Sequence, residues 1–136
     1  MNAVLDTNIL VSALMTPGGH CDQVLRAVVD EFVQGYVDLR VLAEYEDVLL
    51  RPEFAFHPGL ALETLAAIRS HVQTVRAGPL FVRLPHPSDL PFLEVAHEAG
   101  AVLVTGNERH FPPKARHGVV VMTPAEFLDL LGRRGQ

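Results

Sequence analysis

The clearest strand of the chain is the run Ala101-Val102-Leu103-Val104-Thr105, which follows a helical pattern that ends at Gly100. Four more short apolar runs predict strands, at residues 3–5, 34–37, 80–82 and 119–121. Helical patterns separate them, at residues 9–14, 21–32, 41–49, 58–75, 91–99 and 124–131. Continuous apolar strands that alternate with helices are typical of a parallel sheet covered on both faces. We therefore predict a three-layer α/β/α sandwich whose central, mostly parallel sheet has four to five strands.

Length and composition favour one globular domain, which we expect to span residues 1–136, because 49% of the residues are hydrophobic. The single cysteine, Cys21, excludes an intrachain disulfide framework and a Cys-x-x-Cys motif. No apolar run approaches the roughly 18 residues of a membrane-spanning helix, and the chain starts with a strand pattern rather than a signal peptide. These features predict a soluble, cytoplasmic protein without a membrane partner.

The charge balance is acidic, since eleven Lys and Arg residues stand against sixteen Asp and Glu residues and give a net charge of −5. This balance disfavours a protein that coats nucleic acid through a broad basic surface. It is compatible with a small acidic metal site, because a bound ion supplies positive charge at a phosphate group. A metal-dependent catalyst therefore remains open.

Polar residues concentrate behind two of the predicted strands. Asp6-Thr7-Asn8 follows the first strand, and Thr105-Gly106-Asn107 follows the strand at residues 101–105. In parallel α/β sheets, ligands bind outside the carboxyl ends of the strands, where the strand order reverses. We therefore expect a functional site to include these two segments.

Each acidic residue of interest has a structural interpretation when it is considered alone. Asp6 is either a helix N-cap or a carboxylate directed into the crevice, and Asp89 stands at a helix start where the helix dipole favours a negative charge. Glu44 lies near the edge of an apolar helix face, so a solvated position explains it. A haloacid-dehalogenase-like phosphatase would need a second Asp at the position of Asn8, and a receiver domain would need a lysine after the last strand, whereas Lys114 precedes it.

Taken together, Asp6, Glu44, Asp89 and the segment 105–107 favour a shared site. They follow one another in the order strand end, helix, helix start and strand end. Three carboxylates in one crevice repel each other unless a cation lies among them. Mg²⁺ and Mn²⁺ prefer oxygen ligands of this kind. If the carboxylates converge, the sequence predicts a divalent metal site.

These segments resemble, in order and at suitable spacing, the motifs of the PIN-domain family, in its branch of small prokaryotic toxins of toxin–antitoxin pairs (VapC-like). The resemblance rests on Leu5-Asp6-Thr7-Asn8, on Leu42-Ala43-Glu44 with Val48-Leu49-Leu50-Arg51-Pro52, on Asp89-Leu90-Pro91-Phe92-Leu93-Glu94-Val95-Ala96, and on Val104-Thr105-Gly106-Asn107-Glu108-Arg109-His110-Phe111.

The resemblance implies an Mg²⁺- or Mn²⁺-dependent endoribonuclease that cleaves single-stranded or structured RNA. It implies metal ligation by Asp6, Glu44 and Asp89, with Asn107 as a fourth catalytic position. Many family members carry an acid at the position of Asn107 or of His110, so this chain departs from the pattern there. Fewer charges weaken a second metal site, and single-metal catalysis, lower activity or Mn²⁺ preference with a contribution from His110 all remain open.

The remaining site residues receive positioning roles. The resemblance implies that Thr7, Asn8 and Thr105 support the ligands or the substrate. The basic cluster of Arg109, Lys114, Arg116 and His117 either contacts the RNA backbone or is a solvated loop. His110 completes the substrate-positioning set. A cognate antitoxin and a homodimer are the implied protein partners. Alternatives are a catalytically impaired PIN-like module that binds RNA or a protein, and a nucleotide-binding doubly wound domain.

Overall fold

The computed structural model describes residues 1–54 and 56–134. In these residues the strands are β1 (Asn2–Leu5), β2 (Gln34–Val37), β3 (Gln73–Thr74), β4 (Val102–Val104) and β5 (Val121–Met122). The α-helices are α1 (Thr7–Met15), α2 (His20–Val29), α3 (Leu39–Leu49), α4 (Pro58–His71), α5 (Leu90–Ala99) and α6 (Pro124–Arg134). Short 3-10 helices lie at Pro87–Asp89, Glu108–His110 and Pro113–Ala115. The predicted single domain over residues 1–136 also includes residues 55, 135 and 136, which lie outside the described residues.

The five strands form one sheet in the order β3-β2-β1-β4-β5, and every neighbouring pair is parallel. β1 pairs with β2 on one side and with β4 on the other, so the strand order reverses at β1. Leu5 at the end of β1 is in register with Val104 at the end of β4. The predicted fold class is confirmed, and the reversal sets the crevice at the carboxyl ends of β1 and β4.

The sheet is buried on both faces. Ala3, Val4 and Leu5 are consecutive, point alternately to opposite faces, and are all buried. α5 packs against β1, β2 and β4, and α2 approaches the sheet closely at Gly35. A Cβ atom on Gly35 would lie 2.7 Å from Cγ1 of Val28. The helices therefore hold the strand ends, and the residues that follow them, in fixed positions.

Two predicted termini are confirmed by their capping contacts. The Thr123 hydroxyl accepts a 3.2 Å hydrogen bond from the Glu126 amide, and the Glu126 carboxylate accepts a 2.9 Å bond from the Thr123 amide. This reciprocal capping box begins α6. Gly100 ends α5 with a φ of 59°, in the left-handed region that glycine tolerates.

The third strand and two helix ends differ from the prediction. Residues 80–82 belong to no strand in the described part of the chain, and β3 lies earlier, at Gln73–Thr74. α4 therefore ends at His71 instead of continuing to residue 75. α2 ends at Val29 because the backbone turns at Glu31, whose φ is 63°, and this leaves Phe32 exposed. Within the described residues, no helix has the length and apolar character needed to cross a bilayer.

Candidate acidic site at the carboxyl ends of strands β1 and β4

Asp6 and Thr105 lie side by side at the point where the strand order reverses. Asp6 follows β1 and Thr105 follows β4, and the Asp6 amide donates a 2.9 Å hydrogen bond to the carbonyl of Val104. The pairing of these two strands therefore continues one residue beyond β1. Two polar segments almost 100 residues apart in sequence meet here, as the sequence predicted.

The Asp6 carboxylate is buried and is not used as a helix cap. Asp6 occupies the N-cap position of α1, but its side chain makes no capping hydrogen bond. Its Oδ2 instead accepts a 2.8 Å bond from the hydroxyl of Thr105 and a 3.4 Å contact from Nδ2 of Asn8. Burial raises the pKa of Asp6 to about 6; the Thr105 bond opposes this rise, and the charges of Asp89 and Glu44 add to it.

Thr105 and Asn8 also hold the loop that carries Asn107. The Asn107 amide donates a 3.0 Å hydrogen bond to the hydroxyl of Thr105, whose side chain is fully buried. The Gly106 amide donates a 3.1 Å bond to Oδ1 of Asn8. The polar segments after β1 and β4 are thus tied together by side chains, which orients both around Asp6.

Glu44 differs from its acidic neighbours on α3. The hydroxyl of Thr7 donates a hydrogen bond to Oε2 of Glu44, and the Glu44 side chain is half-buried. Glu46 and Asp47 are exposed and form ion pairs with Arg69 and Arg51. The solvated interpretation therefore applies to Glu46 and Asp47, whereas Glu44 points toward the segment that contains Asp6.

Asp89 precedes α5 and likewise makes no capping bond with its side chain. Its Oδ2 lies 2.9 Å from Nδ1 of His110, a contact within ion-pair distance, and this buried oxygen accepts no regular hydrogen bond among the described residues. Nδ2 of Asn107 lies 2.8 Å from Nε2 of His110, and the ring of His86 lies 4.2 Å from that of His110, centroid to centroid. Burial raises the pKa of Asp89, and His110 opposes the rise.

The three carboxylates interact electrostatically without forming a finished ligand set. The charges of Asp89 and Glu44 each add to the effect of burial in raising the pKa of Asp6, so both carboxylates act on Asp6. Burial together with the charges of Asp6 and Glu44 also raises the pKa of the neighbouring Tyr45. No group of three or more His, Cys, Asp or Glu side chains in residues 1–54 and 56–134 is arranged to enclose an ion.

The oxygen ligands that the site offers nevertheless fit a hard divalent cation. The site offers carboxylate oxygens, and the buried Oδ2 of Asp89 contacts His110 but accepts no regular hydrogen bond within the described residues. Mg²⁺ usually keeps several waters and takes only one or two carboxylates from a protein. A cation among Asp6, Asp89 and Glu44 would also relieve the repulsion that adds to the effect of burial on the pKa of Asp6.

An ionic network beside the site was missed from the sequence. The guanidinium of Arg40 donates to Oδ2 of Asp38 at 2.6 and 2.9 Å and to Oε1 of the buried Glu94 at 2.8 Å. Oε2 of Glu94 accepts a 2.7 Å bond from the Leu80 amide. The available signal was Glu94 itself, an acid within the apolar run of α5. The network joins the beginning of α3 to α5 and so fixes the helix of Glu44 relative to Asp89.

The predicted basic cluster is divided between two places. Arg109 is exposed on the loop after β4, next to His110, and Lys114 is exposed farther along the chain. Nε of Arg116 donates a 2.8 Å hydrogen bond to the carbonyl of Phe111, so this side chain supports the loop. His117 packs against His97 and lines a cavity of about 340 Å³ with the residues that precede β4 and β5. The inclusion of His117 is therefore wrong, because it lies at the amino ends of the strands.

Comparisons with known proteins agree with this architecture. The sequence profile of the PIN domain matches residues 2–109. The uncharacterized protein MJ1680 of Methanocaldococcus jannaschii is 27% identical over 140 residues, which covers 95% of this chain and 90% of that protein.

Two solved structures share the fold. A chain in the crystal structure of VapBC2 from Rickettsia felis, bound to a DNA fragment from its promoter, has a TM-score of 0.62 and 17% identity, with 90% of this chain and 98% of that chain covered. A chain in the structure of DNA-bound VapBC from Salmonella typhimurium has a TM-score of 0.62 and 15% identity, with 91% and 98% covered.

Proposed function

Since the chain belongs to the PIN-domain family, we propose that it is an Mg²⁺- or Mn²⁺-dependent endoribonuclease that acts as the toxin of a toxin–antitoxin pair. The observation that carries this proposal is the buried Asp6 carboxylate at the strand-order reversal, whose pKa rises to about 6 beside Asp89 and Glu44. Carboxylates placed in this way repel each other, and a bound cation would offset that repulsion. Phosphodiester hydrolysis is a reaction that a cation in this position supports.

Asp6 and Asp89 are the residues that would hold the ion, with Glu44 as the third ligand, directly or through a water. When bound, the ion would polarise a water and stabilise negative charge at phosphorus. Thr105 and Asn8 keep the Asp6 carboxylate in place, and Thr7 does the same for Glu44. We assign proton acceptance from the water to Asp89 or Glu44.

The fourth position distinguishes this chain from the acidic pattern. Asn107 contacts His110, and His110 contacts Asp89. In our proposal Asn107 and His110 orient Asp89 and the substrate instead of adding a fourth carboxylate, so one ion rather than two is expected. Arg109, exposed next to His110, is proposed to contact the RNA backbone.

The protein partners belong to the same proposal. A toxin of this kind is inhibited by its cognate antitoxin, and the family resemblance also favours a homodimer. The VapBC structures with a similar fold support the search for an antitoxin. We further propose that the pair acts in the cytoplasm, where its RNA substrate is found.

A second candidate function is a catalytically impaired PIN-like module that binds RNA or a protein. Two observations favour it: Asn107 is neutral, and no complete group of metal-binding side chains is formed within the described residues. This module would bind single-stranded RNA without cleaving it.

Cleavage of an end-labelled single-stranded RNA in Mg²⁺, in Mn²⁺ and in EDTA separates the two functions. We expect metal-dependent cleavage that is lost in Asp6→Asn and retained in Asp47→Asn, which removes the same charge from an exposed position. Calorimetry with Mn²⁺ on the same three proteins gives a second readout. Binding without cleavage would favour the impaired module, and cleavage that persists in Asp6→Asn would contradict the proposed site.

A further inference from the structure

The segment at residues 75–84 presents an aromatic ring and arginines on one side. Val75, Ala77, Leu80, Val82 and Leu84 pack against the core, whereas Arg76, Phe81 and Arg83 are exposed. Phe81 is 96% exposed, more than any other large apolar side chain in the described part of the chain. Because burial alternates along residues 80–84, Phe81 and Arg83 lie on the same, exposed side, two residues or about 7 Å apart along the chain.

Hydrogen bonds anchor this segment at Val75 and at Leu80, and the chain then leads to Asp89 of the acidic site. The Val75 amide donates a 2.8 Å hydrogen bond to the carbonyl of Val37, and the Leu80 amide donates a 2.7 Å bond to Glu94. Glu94 follows Asp89 by five residues, which is about 7.5 Å along a helix axis. Phe81 is therefore exposed on a surface that these hydrogen bonds hold in place near Asp89.

The charge of this surface differs from that of the whole chain. The chain carries a net charge of −5, yet residues 64–88 contain no Asp or Glu. Arg76 and Arg83 form no ion pair with any residue in 1–54 or 56–134. The net charge of the whole chain disfavours nucleic acid, but the local surface carries guanidinium groups that are suited to binding phosphate.

We propose that residues 76–83 form a binding track for single-stranded RNA, in which Phe81 stacks on a base and Arg83 contacts a phosphate of the strand that enters the acidic site. An aromatic ring interleaved with cations is the arrangement that binds single strands without sequence preference. Phe and Arg are also enriched at protein–protein interfaces. The lack of any Asp or Glu in residues 64–88, together with two arginines that form no ion pair within the described residues, favours a polyanionic strand over a protein. The inference rests on the proposed ribonuclease function and specifies how that site receives its substrate.

The chain offers a matched control for Phe81. Phe32 is also highly exposed, at 80%, but it lies two residues before β2, at the amino end of the sheet. The chain contains no tryptophan, so Phe81→Trp and Phe32→Trp each introduce a single fluorescent reporter. Phe81→Ala and Phe32→Ala provide the corresponding pair for affinity measurements.

The two tryptophan variants are titrated with an unlabelled single-stranded oligoribonucleotide, with Ca²⁺ as the only divalent ion, and their tryptophan fluorescence is followed. We expect quenching in Phe81→Trp, none in Phe32→Trp, and much weaker quenching with an abasic strand of the same length. In anisotropy titrations with a labelled strand, Phe81→Ala should weaken binding by about 5-fold to 150-fold, whereas Phe32→Ala should leave it unchanged. Arg83→Ala should reduce the salt slope by about 0.7.

The outcomes separate the inference from the proposed function. If the wild-type protein binds and cleaves RNA while Phe81→Ala behaves like Phe32→Ala, the track is wrong and the ribonuclease function stands. If Phe81→Ala leaves RNA binding intact and changes the oligomeric state, the surface binds protein and the track is equally wrong. If the wild-type protein neither binds nor cleaves RNA, the proposed function fails and the track fails with it.

Discussion

The hydroxyl of Thr105 donates a 2.8 Å hydrogen bond to the carboxylate of Asp6 across the ends of strands β4 and β1. The same hydroxyl accepts a 3.0 Å bond from the amide of Asn107. The fully buried side chain of Thr105 thus links Asp6, which follows β1, to the loop after β4. This bond also lowers the pKa of Asp6 and so opposes the larger effect of burial.

Replacing Thr105 with valine tests this relationship. Thr105→Val keeps the shape of the side chain but removes both hydrogen bonds, so the pKa of Asp6 should rise above about 6. The free energy of unfolding should fall by about 1–3 kcal/mol, because buried polar groups lose their partner. Carboxyl NMR titration and urea unfolding measure the two effects. Thr74→Val, on exposed β3, should produce neither; an unshifted Asp6 in Thr105→Val would refute the assigned role.

The raised pKa of Asp6 also predicts how stability depends on pH. Its pKa is about 6 in the folded protein against an ordinary 3.8, so between these values the folded state binds the proton more tightly than the unfolded state. The contribution of Asp6 to the free energy of unfolding is therefore largest below pH 4. It declines as the pH rises through 6, by about 3 kcal/mol in total. Asp6→Asn removes this dependence.

Urea unfolding in EDTA between pH 4 and pH 8 tests this prediction through the difference in unfolding free energy between Asp6→Asn and the wild type. The stability of Asp6→Asn relative to the wild type should increase across this range and level off above pH 7. Asp129→Asn, an exposed acid on α6, should follow the wild type. A constant difference would show that Asp6 has an ordinary pKa in the folded protein.

Sequence reasoning predicted that the residues of the candidate site come together because they follow a topological rule. Asp6 and Thr105 stand directly after apolar strands, and parallel strands bring their carboxyl ends to one edge. Whether Asp6 and Asp89 act as helix caps was undecidable from the sequence, since a capping acid and a ligand acid occupy the same position in the chain. The side-chain contacts decide it, because neither carboxylate caps its helix.

The third strand and the Arg40 network could not be predicted for different reasons. Residues 80–82 are a continuous apolar run, as strands often are, but Leu80 and Val82 pack on the core without a strand partner in the described part of the chain. The network joins Arg40 to Glu94 across 54 positions, and no local pattern specifies such a pair. His117 was misplaced because closeness in sequence to Arg109 does not show at which end of a strand a residue lies.

Packing at Gly35 gives a prediction that is independent of the acidic site. A Cβ atom there would lie 2.7 Å from Cγ1 of Val28 and 2.9 Å from Cγ1 of Val72, with both neighbours held in the core. Gly35→Ala should therefore lower the free energy of unfolding by about 1–3 kcal/mol through overpacking. Gly78→Ala is the control, because a Cβ atom at Gly78 meets nothing within 4 Å. Urea unfolding of both variants measures the contrast, and equal stability would show that α2 can move away from β2.

The neutral fourth position leads to the last prediction, which concerns metal affinity. Nδ2 of Asn107 lies 2.8 Å from Nε2 of His110, whose Nδ1 lies 2.9 Å from Oδ2 of Asp89. Asn107→Asp adds a negative charge at the outer end of this chain of contacts without changing the size of the side chain. If Asp89 is a ligand, the variant should bind Mn²⁺ roughly 10- to 100-fold more tightly.

Isothermal titration calorimetry with Mn²⁺ measures the effect directly, and cleavage assays show whether tighter binding also raises activity. Gln73→Glu adds the same charge at an exposed position on β3 and should leave the affinity unchanged. Unaltered binding in Asn107→Asp would place the ion away from Asp89 and His110. Equal tightening in both variants would instead show that the ion responds to net charge, because long-range attraction does not depend on which residue carries the added carboxylate.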